Sequence, residues 1–280
     1  MYPPSVGAVA WRATEGVETM TWTAFDGLDI AAVMTTRSGG VSTGVYESLN
    51  VGLHVGDDDA LVVENRRRAA ASVGAALDDL VFCNQTHGRR VLTVTPADRG
   101  RGTTSLDTAV EGIDALVTAQ TGPVLVMMVA DCVPIALYSP SAHVAAAVHS
   151  GWRGTVSRVA DAALGAMFEL GAPAGSVIAG IGPAADPRNY QVGQEVADAV
   201  LDSFGAGTDS ILHRDDEAGA GKYTFDLWGA NLRILLEAGL RPEHIHIAAV
   251  PSGGDGPFFS DRAARPCGRN ALLVRLGPRS

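Results

Sequence analysis

The chain has 280 residues, 46% hydrophobic and 19% charged, with 31 acidic against 21 basic side chains and a net charge of −10. That length and hydrophobic share supply a sizeable core and exclude intrinsic disorder, while the acidic balance disfavours a nucleic-acid partner. Glycine is the outlier at 33 residues, about 12% where about 7% is usual; with no G-X-Y period, the excess points to tight turns and close backbone approaches.

At the start of the chain, Met1 to Glu18 carries Arg12 and lacks the apolar run of a signal peptide. The most apolar stretch, Val124 to Tyr138, is interrupted by Asp131 and Pro134 and is too short to span a bilayer. Cys83, Cys132 and Cys267 are too few and too scattered for a disulfide framework. A cytoplasmic protein with reduced thiols and no membrane partner is expected. No repeat or low-complexity linker divides the chain, so residues 1–280 read as a single domain.

Leu28 to Thr36 is expected as a strand running into a Gly- and Ser-rich loop, Arg37 to Asp59. Ala60 to Leu77 reads as a helix with a weak apolar face and the run Arg66-Arg67-Arg68 on its solvated side. Strands are expected at 80–83 and 91–95. A cluster of β-branched runs follows at 113–118, 124–129, 134–139 and 144–149, close enough in sequence to be neighbours in one sheet. Thr155 to Leu170 has the clearest helical period, with Gly171 placed as its C′ residue. A strand at 177–181, helices at 192–204 and 227–238 (the second capped by Asp226), and a last strand at 245–250 complete the order. The irregular interleaving implies an α+β (mixed α/β) fold of mixed sheets covered by helices, not a doubly wound one.

Three residues at strand ends and loops are candidates to carry the chemistry. His87 sits in Asn84-Gln85-Thr86-His87-Gly88, Cys132 in Ala130-Asp131-Cys132-Val133-Pro134, and His149 in His149-Ser150-Gly151-Trp152-Arg153-Gly154. Singly they read as a loop histidine, a small buried thiol and a strand-end imidazole. If 134–139 and 144–149 form a hairpin, Cys132 and His149 emerge at the same end, where His87 can join them. Two imidazoles and a thiolate suit zinc, and three ligands leave the fourth position open as in catalytic sites. Cys83 stands as the fourth ligand of the alternative, closed structural site.

Around this set, Arg37-Ser38-Gly39-Gly40-Val41-Ser42-Thr43-Gly44 reads either as an anion cradle or as a plain surface loop, and matches no Walker or Rossmann spacing. Arg153 is a second phosphate candidate. Asn50 and His54 follow the loop closely enough to share its site. Asp131 is expected as a partner of the ligand set, a proton acceptor, or a turn residue.

Taken in order, Ser48-Leu49-Asn50, Leu53-His54-Val55-Gly56-Asp57-Asp58, Glu64-Asn65-Arg66-Arg67-Arg68 and the three strings above resemble the laccase-domain family. Gly182-Pro183 and Tyr190-Gln191-Val192-Gly193 add to the likeness, which covers roughly Thr35 to Phe259. This family was formerly labelled multicopper polyphenol oxidase and is now described as a zinc-dependent purine nucleoside phosphorylase. The resemblance implies an α/β/β/α sandwich and a catalytic zinc on His87, Cys132 and His149. It further implies phosphorolysis of adenosine, inosine and methylthioadenosine, and deamination of adenosine. The chain departs from many relatives at Arg188-Asn189, at 248–254 and at Asp261-Arg262-Ala263-Ala264-Arg265; these changes spare the ligand set and fall on the C-terminal pocket wall.

Copper is the less favoured metal. A trinuclear cluster needs more histidines than one blue-copper centre, and the chain has seven in all, with a single His-x-His at His244-Ile245-His246 inside an expected strand. Two other readings stand beside the zinc enzyme: an amidase editing peptidoglycan precursors, with Cys132 as nucleophile and His149 or His87 as base, and a non-catalytic binding protein with a structural metal.

Overall fold

A computed structural model describes residues 6–215 and 219–279. Two six-stranded mixed sheets form its centre. The first runs, in spatial order, Val9–Thr14, Val17–Trp22, Ile30–Thr35, Asn270–Leu276, Val124–Val129 and Leu80–Val81, antiparallel except for the last pair. The second runs Ile245–Ile247, Ile178–Ile181, Val133–Ser139, Val144–Ser150, Ala115–Thr118 and Val91–Thr93, with its two outermost pairs parallel.

Side-chain alternation assigns each face. Leu125, Met127 and Val129 turn toward the second sheet, whereas Val124, Val126 and Met128 face outward. In Val144–Ser150, Ala145 and Ala147 face the first sheet, and Val144, Ala146 and Val148 face the helices. Large residues of one sheet (Met20, Met34, Met127) thus pack with small ones of the other (Ala136, Ala145, Ala147), so the two layers interdigitate. Gly180 is required by this approach, because a Cβ there would lie 2.6 Å from the Trp22 ring. The helix Asp59–Ser72 covers the outer face of the first sheet. Val159–Glu169, Gln194–Phe204 and Leu227–Glu237 cover the second. The result is the expected α/β/β/α sandwich with mixed sheets.

Several elements differ from expectation. The run 124–129 belongs to the first sheet, not beside 113–118, 134–139 and 144–149; both of its faces are buried, so its pattern could not say which sheet it joins. The hairpin Val9–Trp22 and the central strand Asn270–Leu276 were not anticipated. Residues 80–83 divide, with Leu80–Val81 in the first sheet and Cys83–Asn84 paired to Val110–Glu111. The helix expected over 155–170 is two helices, Trp152–Val156 and Val159–Glu169, separated by Arg158 in the left-handed conformation (φ 63°), where its guanidinium meets Glu237 at 2.7 Å. The helix expected from 192 begins as a short strand, Gln191–Gly193, paired to Lys222–Phe225. The last expected strand stops at Ile247, and His244 closes the turn before it instead of sharing a strand with His246. Asp226 does cap Leu227–Glu237, accepting from Gly229 N at 2.9 Å. No helix among the described residues is long and apolar enough to cross a membrane.

The arginine run is also not uniformly solvated. Arg67 and Arg68 pair with Glu64 at the surface, but Arg66 is fully buried. Its guanidinium donates to the carbonyls of Val51, Gly102 and Thr103 and lies 3.8 Å over the Phe82 ring. Arg66 therefore ties the helix to two loops, and losing it would strand three buried acceptors. Arg66→Ala is expected to lower the unfolding free energy by about 3 kcal/mol or more in urea denaturation; a loss below about 1 kcal/mol would contradict this role.

Candidate active site and metal centre

The register of the second sheet builds the site. Ala115 pairs with Val148, so one step further along Asp114 stands across from His149 at the sheet end, and His149 N donates to Asp114 O at 2.8 Å. Both side chains follow Leu116 and Ala147 onto the face turned toward the first sheet. On the other edge of the same strand Val133 pairs with Ser150, which puts Cys132 opposite Gly151. Gly151 is required by crowding: a Cβ there would come 2.8 Å from Cys132 Sγ and 3.0 Å from His87 Cδ2.

His87 arrives from the 84–90 loop, which is fastened at two points. Gln85 exchanges a pair of 2.8 Å hydrogen bonds with the Met128 backbone of the first sheet. The turn then wraps the Asp114 carboxylate, which accepts from the backbone N–H groups of His87 (2.9 Å), Gly88 (2.7 Å) and Thr86 (3.2 Å). This holds His87 at φ 59°, a conformation uncommon outside glycine. Asp114 Oδ1 also accepts from His149 Nδ1 at 2.8 Å, which leaves His149 Nε2 to face inward.

The ligand atoms of His87, Cys132 and His149 lie within 4.8 Å of one another, and they form the one such group found among the described residues. The donor set fits a metal: two imidazoles and a thiol converge, and one imidazole already has its far nitrogen held by a carboxylate. Burial alone would raise the Cys132 thiol, but the facing His149 ring and then His87 reverse this and bring it down to about 6. Burial works against charge on His149 as well, and Cys132 and Asp114 overcome it, lifting the ring to about 9. A proton is thus held where a cation would displace it. Cys83 is not a fourth ligand: its sulfur lies in the core, 3.9 Å from Met127 Sδ, where burial raises its thiol. The ligand set has three protein members, and one side opens into a pocket.

That pocket is a cavity of about 680 Å³. His54, Trp152, Arg153, Tyr190, Arg262 and Arg269 are on its wall, together with the three ligands. The carboxylates of the wall are already engaged. Asp261 binds both Arg265 and Arg269. Asp131, the neighbour of Cys132, at φ 81°, accepts from Ser252 Oγ at 2.6 Å and Arg262 N at 2.7 Å, so its carboxylate ties down the C-terminal segment. Two arginines remain available: Arg153, stacked 4.2 Å over Trp152 with Glu195 no nearer than 3.8 Å, and Arg262, stacked 4.6 Å over Tyr190. Burial, with the nearby Cys132 charge, pushes the Tyr190 phenol up to about 12.

Of the candidate binding residues, Arg153 and His54 line this pocket. Burial, then the charges of Arg269 and Arg66, lowers the His54 imidazole to about 4, so it is neutral at pH 7. Arg37 and Asn50 do not line it. Arg37 Nε donates to the Glu47 carbonyl, and its guanidinium sits 4.9 Å over Phe259. Five backbone N–H groups of its loop, those of Arg37, Ser38, Gly40, Val41 and Ser42, are spent internally on Pro257 O, Thr36 Oγ1, Ser48 and Asn65 Oδ1, and the loop stands off the pocket wall. Asn50 is fully buried and binds Asp57, Gly52 and the Arg269 backbone, shaping the wall from behind.

The sequence reading missed Asp114, offering Asp131 either for that role or as a turn residue, and missed the available Arg262. The signal for Asp114 was parity: it precedes Leu116 by two in a strand run, but only the pairing with 144–150 sets it against His149.

Fold and site together define a two-sheet sandwich carrying an open His–Cys–His centre at the end of one sheet. The model of the family described as multi-copper polyphenol oxidoreductase laccase matches residues 31–277, and the chain belongs to that family. It is 40% identical over 237 residues to purine nucleoside phosphorylase YlmD of Geobacillus stearothermophilus, covering 84% of this chain and 85% of the relative. It is 35% identical over 216 residues to adenosine deaminase RL5 of an unknown prokaryotic organism, covering 77% and 81%. The crystal structure of YlmD from Geobacillus stearothermophilus superposes with a TM-score of 0.90 at 34% identity, covering 97% of this chain and all of that one.

Asp114→Asn keeps the side chain's shape but removes the charge that fixes His149. It is expected to weaken binding of a divalent metal ion by about 10–100-fold, measured by competition against a chromophoric chelator with circular dichroism unchanged. Unaltered affinity would show that Asp114 does not organise the centre.

Proposed function

We propose that this protein is a cytoplasmic, zinc-dependent purine nucleoside phosphorylase acting on adenosine, inosine and methylthioadenosine, with adenosine deaminase activity. The observation that carries the reading is the open His87–Cys132–His149 set beside Arg153 and Arg262 in one pocket. The printed names of the relatives, purine nucleoside phosphorylase and adenosine deaminase, agree with it.

In this reading His87, Cys132 and His149 hold the zinc, and Asp114 keeps His149 in the tautomer that presents Nε2. A zinc ion with one position open supplies Lewis acidity toward an oxygen nucleophile. Arg153 and Arg262 bind and orient phosphate, as guanidinium groups suit that anion. A cavity of about 680 Å³ has room for a nucleoside and phosphate together. Phosphorolysis and deamination then differ in the nucleophile: phosphate delivered to the sugar carbon, or water delivered to the base. Zinc is favoured over a multicopper arrangement because a single three-ligand group is found among the described residues. The amidase alternative finds no support in the relatives' names.

The test is adenosine incubated with and without phosphate, products resolved by chromatography. Adenine formed only with phosphate, and inosine formed without it, are the expected products; neither forming would sink the proposal. Cys132→Ala is expected to lose both activities together with its zinc. Arg153→Gln is expected to raise the KM for phosphate about tenfold or more, corresponding to about 1.4 kcal/mol, while leaving metal content unchanged.

A further inference from the structure

The reaction scheme leaves the pocket's one tyrosine without a role. Tyr190 is half-buried on the wall, and its main chain is fixed, its carbonyl accepting from Phe225 N at 3.1 Å immediately before the strand Gln191–Gly193. Its ring is covered by the Arg262 guanidinium at 4.6 Å, which holds the ring in place and occupies one of its faces. Its hydroxyl has no hydrogen-bond partner among the described residues, and it is not one of the polar atoms sealed in the core. The tyrosine is thus positioned at both ends while its donor is left for a ligand. The other buried tyrosine, Tyr138, shows the contrast: its hydroxyl is 3.2 Å from His143 Nδ1, inside the core.

We infer that Tyr190 is a catalytic hydrogen-bond donor to the departing purine, with Arg262 stacked behind it to steady the charge. The inference rests on the phosphorylase reading. In phosphorolysis the C1′–N9 bond breaks and its electron pair passes onto the purine ring, while a C1′–O bond forms to hydrogenphosphate. The hydrogenphosphate proton ends on the purine, giving neutral base and sugar phosphate, so no oxidant or other reactant is needed. Negative charge grows on the ring nitrogens before that proton arrives. A phenol keeps its proton at neutral pH and can donate to such a nitrogen, a contact that strengthens as the charge develops. The guanidinium over the ring polarises the phenol in the same direction.

Tyr190→Phe isolates the claim, because it keeps the ring and the Arg262 stack and removes only the hydroxyl. The purified metal-containing enzyme is assayed with phosphate on two nucleosides: inosine, and an N7-methylated purine nucleoside. In the second the base already carries a positive charge and leaves without help. Tyr190→Phe is expected to lower kcat on inosine by about 100-fold, with the KM for phosphate and the zinc content unchanged. Turnover of the N7-methylated nucleoside is expected to change by less than about threefold, since no donor is required there. Equal losses on both nucleosides, or no loss on inosine, would overturn the assignment of Tyr190 alone. An unsubstituted enzyme that turns over neither nucleoside would overturn the assignment together with the activity it rests on.

Discussion

The site depends on one buried carboxylate. Asp114 is fully enclosed and accepts from three consecutive backbone N–H groups of the His87 turn and from His149 Nδ1. Burial would raise its pKa, but His149 and the backbone donors of Gly88 and Thr86 hold it down to about 2, so it is charged at neutral pH. A buried charge of this kind is tolerated only when its lone pairs are satisfied, and the partners that satisfy it are the loop and ring that carry two of the candidate metal ligands. The left-handed backbone at His87 is held by these bonds. The third ligand is placed independently, by the hairpin register that sets Cys132 against the bare backbone of Gly151.

The same logic accounts for the pocket's electrostatics. The chain is acidic overall, yet the carboxylates in the pocket wall are committed to local tasks: Asp261 to Arg265 and Arg269, Asp131 to Ser252 and the Arg262 backbone. What remains facing the cavity is cationic and aromatic, Arg153 with Trp152 and Arg262 with Tyr190. An anion and a flat heterocycle are the ligands such a surface fits. Asp131, the neighbour of Cys132, hydrogen-bonds to Ser252 and the Arg262 backbone and so links the candidate metal centre to the Arg262 wall.

Much of this was legible in the sequence, for physical reasons. The mixed sheets covered by helices followed from β-branched runs interleaved irregularly with amphipathic segments, the sandwich layering from the family resemblance, and the candidate ligand set from the chemistry of two imidazoles and a thiol at strand ends. What the sequence hid was register and sheet membership. Val124–Val129 is buried on both faces, so its pattern could not say which sheet it joins. Asn270–Leu276 lies at the centre of the first sheet, where near-continuous burial likewise gives no facing signal. Arg66 read as a solvated charge because local sequence gives no sign of the distant carbonyls of Gly102 and Thr103. Asp131 drew attention by standing next to Cys132, yet it lies at φ 81° in the bend before the strand and its carboxylate turns to Ser252 and the Arg262 backbone, while the partner of His149 came from the segment paired beside it. The glycine excess likewise resolves into specific contacts, Gly151 against Cys132 and Gly180 against Trp22.

The central claim is that three protein ligands hold one catalytic metal ion and leave a position open for substrate. It is tested most directly by titrating the metal-free protein with zinc while following phosphate-dependent cleavage of adenosine. Activity should rise linearly and saturate at one zinc per chain, with X-ray absorption at the zinc edge reporting two nitrogen, one sulfur and one exchangeable oxygen neighbour. Full activity before any zinc is added, or a zinc bound by four protein ligands, would contradict the claim.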